Sequence, residues 1–301
     1  MTPQPGIFAS GTPEHCYLEL DLRPDHTAEE LIRALAGLTE PFATTSGVNM
    51  VVGLRPELWA GLGDGPADAA GWTEDIAGVD GFGMPATQHD AWVWIAGADR
   101  TLVFDNGRLV VERMRELTTI ATELTGWHYR HDRDLTGFID GTENPSLLEA
   151  CAVACVPEGE PGAGSSVVLV QKWAHDQAGW AALTQREQEL AMGRTKPDSI
   201  ELDDATMPAT AHVARTKLVL DGEEQKIFRR NVAYGGVTEH GTLFVGFAAR
   251  QWRLAEMLRR MAGAADGIRC ALTRYLTPVT GAYYTVPPVE ALAAYAPPDE
   301  D

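Results

Sequence analysis

Two hydrophobic periods alternate along this chain, and the switches between them outline a repeated order of strands and helices. HCYLELDLR, just after Glu14, alternates apolar and polar positions as a half-buried strand does. Asp25 to Leu38 then places Leu31, Ile32, Leu35 and Leu38 on one helical face, with Asp25 or Thr27 as a cap and acidic residues in the first turn. VNMVVGL, from Val48, is a compact apolar strand. A second unit opens with AWVWIAG at Ala91, continues with a helix expected from about Leu109 to Leu124, and closes with a strand-like WHYRHDR. After Leu135 the order recurs. SSVVLVQKW (Ser165 to Trp173) reads as a strand and LTQREQELAMG as a short helix. TKLVLDG and GTLFVGFAA follow as two strands, RLAEMLRRMAG (Arg253 to Gly263) as an amphipathic helix, and GAYYTVPP as a last strand. Strands with intervening helices predict an α+β protein of antiparallel sheets with flanking helices, built from two ferredoxin-like halves in a dimeric α+β barrel-like arrangement. The halves are expected at residues 1–135 and 136–301. Cys155 to Ser166 reads as a Gly/Pro-rich loop within the second half, and the tail APPDED as disordered.

Composition narrows the classes. With 45% hydrophobic and 22% charged residues the chain has the mix of a soluble globular protein, and no apolar run approaches membrane-spanning length. The excess of 43 Asp and Glu over 24 Lys and Arg repels phosphates, which argues against a nucleic-acid partner. The first residues, MTPQPGIFASGTPEHC, show neither a Sec-type signal nor a twin-arginine pair, so a cytoplasmic location is expected. Cys16, Cys151, Cys155 and Cys270 are too scattered for a disulfide framework. No C-x-x-C-H run offers covalent haem attachment. Free, buried thiols are expected.

Three stretches carry candidate chemistry. In GFIDGTENPS, Asp140 sits between Gly137 and Gly141, whose freedom of φ permits a close backbone approach to something bulky, although Asp-Gly is also an ordinary turn. His212, in PATAHVARTKL, stands before a strand-like run, where a lone histidine is more often a satisfied structural residue than a ligand. Arg229 and Arg230 are adjacent in KIFRRN, and in a strand only one of them faces inward.

Together these motifs resemble the dye-decolourising peroxidase family, in particular its compact bacterial B-type members. PATQHDAWVWI, GFIDGTENP, EQELAMGRTKPDSIEL, AHVARTKL, KIFRRN and TPVTGAYYTVPP occur in that family's order over most of the chain. The resemblance implies one non-covalent haem b per chain in the second half, with His212 as the proximal iron ligand and Asp140 as the distal acid. It implies that Arg229 stabilises charge on the departing oxygen and contacts a haem propionate, and that Asn231 orients peroxide or water. Gly141, Thr142, Asn144 and Phe244 are implied as further cofactor contacts. Arg230 departs from relatives that carry an acidic residue there. Which group orients His212 through its other ring nitrogen is not legible in the sequence.

The implied partners are hydrogen peroxide and an organic donor such as a dye or phenol, oxidised through a ferryl intermediate. A haem-binding or haem-handling protein with incidental peroxidase activity is the alternative, which the paired acid and arginine disfavour. Glu201, Glu223 and Glu224 suit manganese but read more simply as solvated acids. Self-association is implied by the resemblance. Packaging in a protein shell is not expected, because the relatives so packaged carry a C-terminal extension.

Overall fold

The computed structural model describes residues 1–38, 47–130 and 132–296. Eight strands form its centre: β1 (Glu14–Leu22), β2 (Asn49–Leu54), β3 (Ala91–Gly97), β4 (Thr118–Trp127), β5 (Ser166–His175), β6 (Val232–Gly235), β7 (His240–Ala248) and β8 (Ala282–Val286). Their hydrogen-bonded order is β7-β6-β4-β1-β3-β2-β8-β5, and β5 also pairs with β7, so the antiparallel sheet closes into a barrel. Within the first four strands the order is fourth, first, third, second. The last four repeat it. Ladders β4–β6 and β2–β8 join the two sets, so they share one continuous barrel.

Strand alternation then assigns every side chain to one of two faces. Tyr17, Trp92, Trp94, Val168, Val245, Phe247 and Tyr284 fill the barrel interior. There Tyr17, Trp92, Trp94 and Tyr284 stack with ring centroids 6.1–6.4 Å apart. Burying each such ring stabilises the fold by about 1.5–3 kcal/mol. Glu19 shares this interior, where its carboxylate accepts the Tyr284 hydroxyl at 2.7 Å. The outer face of the first four strands packs Leu18, Leu20, Val52 and Ile95 against α1 (Ala28–Ala36) and α2 (Arg100–Met114). Leu31, Ile32 and Leu35 are fully buried, as the helical stripe predicts. Thr27 caps α1 in a capping box with Glu30. The outer face of the last four strands instead packs Leu169, Trp173 and Tyr283 against the α-helix Gln251–Ala262.

Three expected elements differ. The helix expected from Leu109 to Leu124 runs from Arg100 to Met114, because Asp99 caps it, and the following TTIATELTGW is strand β4. The β-branched run Thr118, Thr119 and Ile120 favours an extended backbone over another helical turn. Of WHYRHDR only Trp127 belongs to the strand, which ends there, and His131 lies outside the described residues. TKLVLDG is not a barrel strand either. Only Val219–Leu220 is extended, in an exposed two-stranded hairpin with Glu223–Glu224, and the shorter VAYG of β6 takes the barrel position. The tail beyond Ala296 lies outside the described residues. Among the described residues no helix is long and apolar enough to cross a membrane.

Two further helices complete the frame around the site: α3 (Gln185–Met192) and α4 (His212–Thr216), with Gln251–Ala262 as α5. Helices α4 and α5 are clamped by an exchange of caps. Arg215, 3% exposed, donates to the Arg260 carbonyl near the end of α5 and to Asp266 at 2.6 Å. Arg260 in turn donates to the Ala214 and Lys217 carbonyls at the end of α4. Arg260 thereby supplies donors to carbonyls at the end of α4, and Arg215 adds donors to the Arg260 carbonyl, which also accepts the Gly263 amide.

The loop joining β4 to the second half is pinned similarly. Arg133 donates to the carbonyls of Gly137, Lys196 and Pro197, and the Trp180 indole donates to the Thr136 carbonyl at 2.9 Å. Asp134 turns the loop by accepting from the Thr136 amide and hydroxyl. Loss of hydration, reinforced by the charge of Asp140, pushes the Asp134 carboxyl up from 3.8 to about 7.

Two stability measurements follow from this frame. Arg215→Ala should cost about 2–3 kcal/mol in urea unfolding, since it removes charge-assisted bonds from a buried site; a loss below about 0.5 kcal/mol would discard the clamp. For Asp134 the folded state holds a proton that the unfolded chain releases, so its stabilising contribution is present below about pH 4 and lost as pH rises through about 7. Asp134→Asn keeps an acceptor for Thr136 without ionising. Its melting temperature should therefore gain on the wild type between about pH 5 and pH 8, and a constant difference would refute the assignment.

Candidate functional site

A cavity, open at its mouth, lies against the outer face of β5 and β7. Cross-strand pairing sets its floor: Phe244 opposite Gln171, and Thr242 opposite Trp173, all pointing away from the barrel interior. Leu254, Met257, Leu258 and Met261 of α5 form an apolar wall. His212, Asp140 and Arg229, 89 positions apart at the extremes of Asp140 and Arg229, all line this one cavity.

Asp140 is presented by a turn that only its glycines allow. Gly137 and Gly141 have φ of 89° and 73°, and a Cβ on Gly137 would stand 2.8 Å from the Lys196 side chain. The Asp140 amide donates to the Asp132 carbonyl at 2.7 Å, which fixes the turn. Its Oδ1 accepts from the Gly141 amide at 2.7 Å and from the Asn231 side chain at 3.3 Å. Asn231 in turn accepts the Val245 amide with its own oxygen, so its amide orientation toward Asp140 is set by β7.

Arg229 lies in a two-residue strand, Phe228–Arg229, paired with β7. The alternation expected of Arg229 and Arg230 is observed. Arg229 lines the cavity, whereas Arg230 turns into the barrel, stacks 5.0 Å over Trp94 and donates to the Ile7 carbonyl and the Thr12 hydroxyl. Arg229 Nε is buried without a hydrogen-bond partner, and burial lowers the guanidinium pKa. A cation so placed, with no carboxylate in contact among the described residues, is a ready site for an anion.

His212 opens α4, a helical turn where a strand-like continuation was expected; the Ala211 carbonyl accepts from Arg215 and the Thr216 hydroxyl from its own turn donates to the His212 carbonyl. Burial, then Arg229 and Arg194, lower its imidazole pKa to about 4, so the ring is neutral and has a lone pair to offer. The only hydrogen-bond partner of its Nδ1 among the described residues is the Cys270 sulfur, at 3.7 Å.

Of the remaining expected contacts, Gly141, Thr142 and Phe244 line the cavity. Asn144 does not. Its side chain spans the Arg229 backbone, accepting from the amide at 2.8 Å and donating to the carbonyl at 2.9 Å. Several residues went unmarked in the sequence. Asp134, Gln171, Trp173 and Arg194 line the cavity, and Arg194 pairs with Glu143 and Glu201 while donating to the Ser199 carbonyl. The run RTKPDS gave no sign that its first arginine, 8% exposed, is a buried hub. Glu201 also pairs with Lys217. Among the described residues no group of three or more His, Cys, Asp or Glu is placed to hold a metal ion directly. The four thiols are free, and Cys151 is exposed against the expectation of burial, because it lies on the outer side of the short helix Leu147–Ala154.

Comparison with known proteins gives this cavity a context. Residues 131–291 match the family model for the C-terminal part of Dyp-type peroxidases. A dye-decolorizing peroxidase of Mycolicibacterium paratuberculosis is 34% identical over 96% of this chain and 84% of its own length. The solved structure of DyPB from Rhodococcus jostii superposes with a TM-score of 0.87 at 31% identity, covering 97% of this chain and 98% of that one. A variant of the same Rhodococcus jostii protein, solved in complex with heme, has a TM-score of 0.87 at 30% identity over 98% of this chain and 97% of its own. With the family model spanning more than half of the chain and relatives matching nearly all of it, the chain belongs to the Dyp-type peroxidases, oxidoreductases that act on peroxide.

Proposed function

We propose that this chain is a haem peroxidase in which His212 holds the iron of a non-covalent haem b and Asp140 moves the proton of hydrogen peroxide. The observation that carries this reading is the convergence of a neutral imidazole, a hydrogen-bonded carboxylate and a guanidinium whose buried Nε has no partner among the described residues on one apolar-walled cavity. These residues fit the group. Leu254, Met257, Leu258 and Phe244 suit the faces of a macrocycle, Arg229 suits a propionate, and the chain has no C-x-x-C-H run for covalent attachment. A bound haem supplies the iron at which peroxide is cleaved and the oxidising equivalents passed on to a donor.

The rest of the chemistry belongs to the protein. Asp140 can take the proton from the inner peroxide oxygen and return it to the outer one, turning that oxygen into a water leaving group. The Gly141 amide and Asn231 hold one carboxylate oxygen, Oδ1, which leaves Oδ2 as the oxygen to meet peroxide. Arg229 retains its charge and offers guanidinium donors to the departing oxygen; it cannot serve as the base. Phe244 and the α5 wall exclude water, which strengthens both effects. The relatives' name, dye-decolorizing peroxidase, and the open mouth of the cavity support a dye or phenol as the donor.

Purified protein loaded with haem should show a Soret band that His212→Ala abolishes while far-ultraviolet circular dichroism stays unchanged. A spectrum unaltered by that substitution would remove His212 as the ligand. Asp140→Ala and Arg229→Ala should both retain the band but react with peroxide more slowly, by about 10²–10⁴-fold for the acid and about 10²–10³-fold for the arginine, in stopped-flow measurements. Wild-type rates in either variant would withdraw that residue's role.

A further inference from the structure

We propose that Cys270 is the positioning residue of His212, its sulfur accepting the Nδ1 proton and leaving Nε2 as the lone-pair nitrogen. The inference rests on the reading of His212 as the iron ligand and adds the group that orients it. An imidazole that binds metal through one nitrogen keeps a proton on the other, and that N–H needs an acceptor. Here the acceptor within reach is Cys270 Sγ, 3.7 Å from Nδ1.

The contact is built into the backbone on both sides. Cys270 is fully buried among Phe138, Trp180, Met192 and Leu272. Its amide donates to the Met261 carbonyl at 2.9 Å, and its carbonyl accepts the Thr273 hydroxyl at 2.7 Å. The next amide, Ala271, donates to the Thr210 carbonyl at 2.8 Å, which ties the cysteine segment to the stretch leading into α4. The thiol is thus held against the ring by the segment that also places the ring.

The choice of sulfur has an electronic consequence. A carboxylate in this place would pull on the Nδ1 proton and make Nε2 more electron-rich. Sulfur is a weak acceptor, so the ring behaves as a plain imidazole and donates less strongly to iron. Hydrogen bonding to an axial ligand is one of the levers by which a protein sets a haem potential, and this one is set toward a higher potential.

The test has a haem-free arm and a haem-loaded arm. In isotope-labelled protein without haem, nitrogen NMR should find His212 mainly as the Nδ1–H tautomer; Cys270→Ala should shift it toward Nε2–H, and Cys270→Ser, whose hydroxyl also accepts, should restore Nδ1–H. A wild-type Nε2–H tautomer, or one unmoved by Cys270→Ala, overturns the proposal. In the haem-loaded protein Cys270→Asp should lower the ferric/ferrous potential and raise the iron–imidazole stretching frequency of the ferrous form, with Cys270→Ser giving a smaller shift the same way. Should the aspartate variant not fold, the serine variant alone decides; an unchanged potential and frequency overturn the electronic claim. Failure of the wild type to take up haem would instead defeat the haem reading, while the tautomer result would still stand or fall by itself.

Discussion

The candidate site depends on a pair of hydrogen bonds between the Asn144 side chain and the backbone of Arg229. One amide group closes both its donor and its acceptor on the amide and carbonyl of a single residue, as a neighbouring strand would. Through it the glycine-flanked turn and the edge of the barrel become one body. Asp140 and Arg229, supplied by distant parts of the chain, are then fixed relative to each other without touching. The Asn231 bridge from the Val245 amide to Asp140 makes the same connection a second time, from the next position but one. Such pre-arrangement matters for the proposed function, because a proton shuttle and a charge stabiliser are effective only when they need not reorganise during the reaction.

Much of the architecture was legible because it follows from periodicity. AWVWIAG and SSVVLVQKW announce strands by their β-branched and aromatic content, and the stripe of Leu31, Ile32 and Leu35 announces a helix face. The closed barrel was less so, since its closing ladder pairs β5 with β7 across residues that carry no pairing label. The errors have a common origin. At TTIATELTGW the apolar spacing suited both periods, and strand propensity with tertiary pairing decided it. At TKLVLDG the more hydrophobic segment lost the barrel position to VAYG, because hairpin connection to β7 outweighs hydrophobicity.

Of the anticipated residues, Asp140, His212, Arg229 and Asn231, which sit in motifs with a fixed sequence order, line one cavity. Those missed, Arg194, Asp134 and Cys270, gain their meaning only from neighbours far along the chain. An arginine in GRTKP and a cysteine in GIRCAL have the local surroundings of ordinary residues. Asn144 was anticipated as a cofactor contact but serves as a backbone partner, a distinction of a few ångströms that no spacing encodes.

The alternation of Arg229 and Arg230 has a consequence for how this protein can vary through descent. Each arginine owes its destination to being odd or even in a strand whose register β7 fixes. Gaining one residue between Phe228 and Arg229 would send the cavity's cation into the barrel and the barrel's cation into the cavity, in a single step. Asn231 would be carried to the wrong face with them. Substitutions here can be tried by evolution one at a time, whereas changes of length cannot, so KIFRRN is expected to drift in spelling long before it drifts in size.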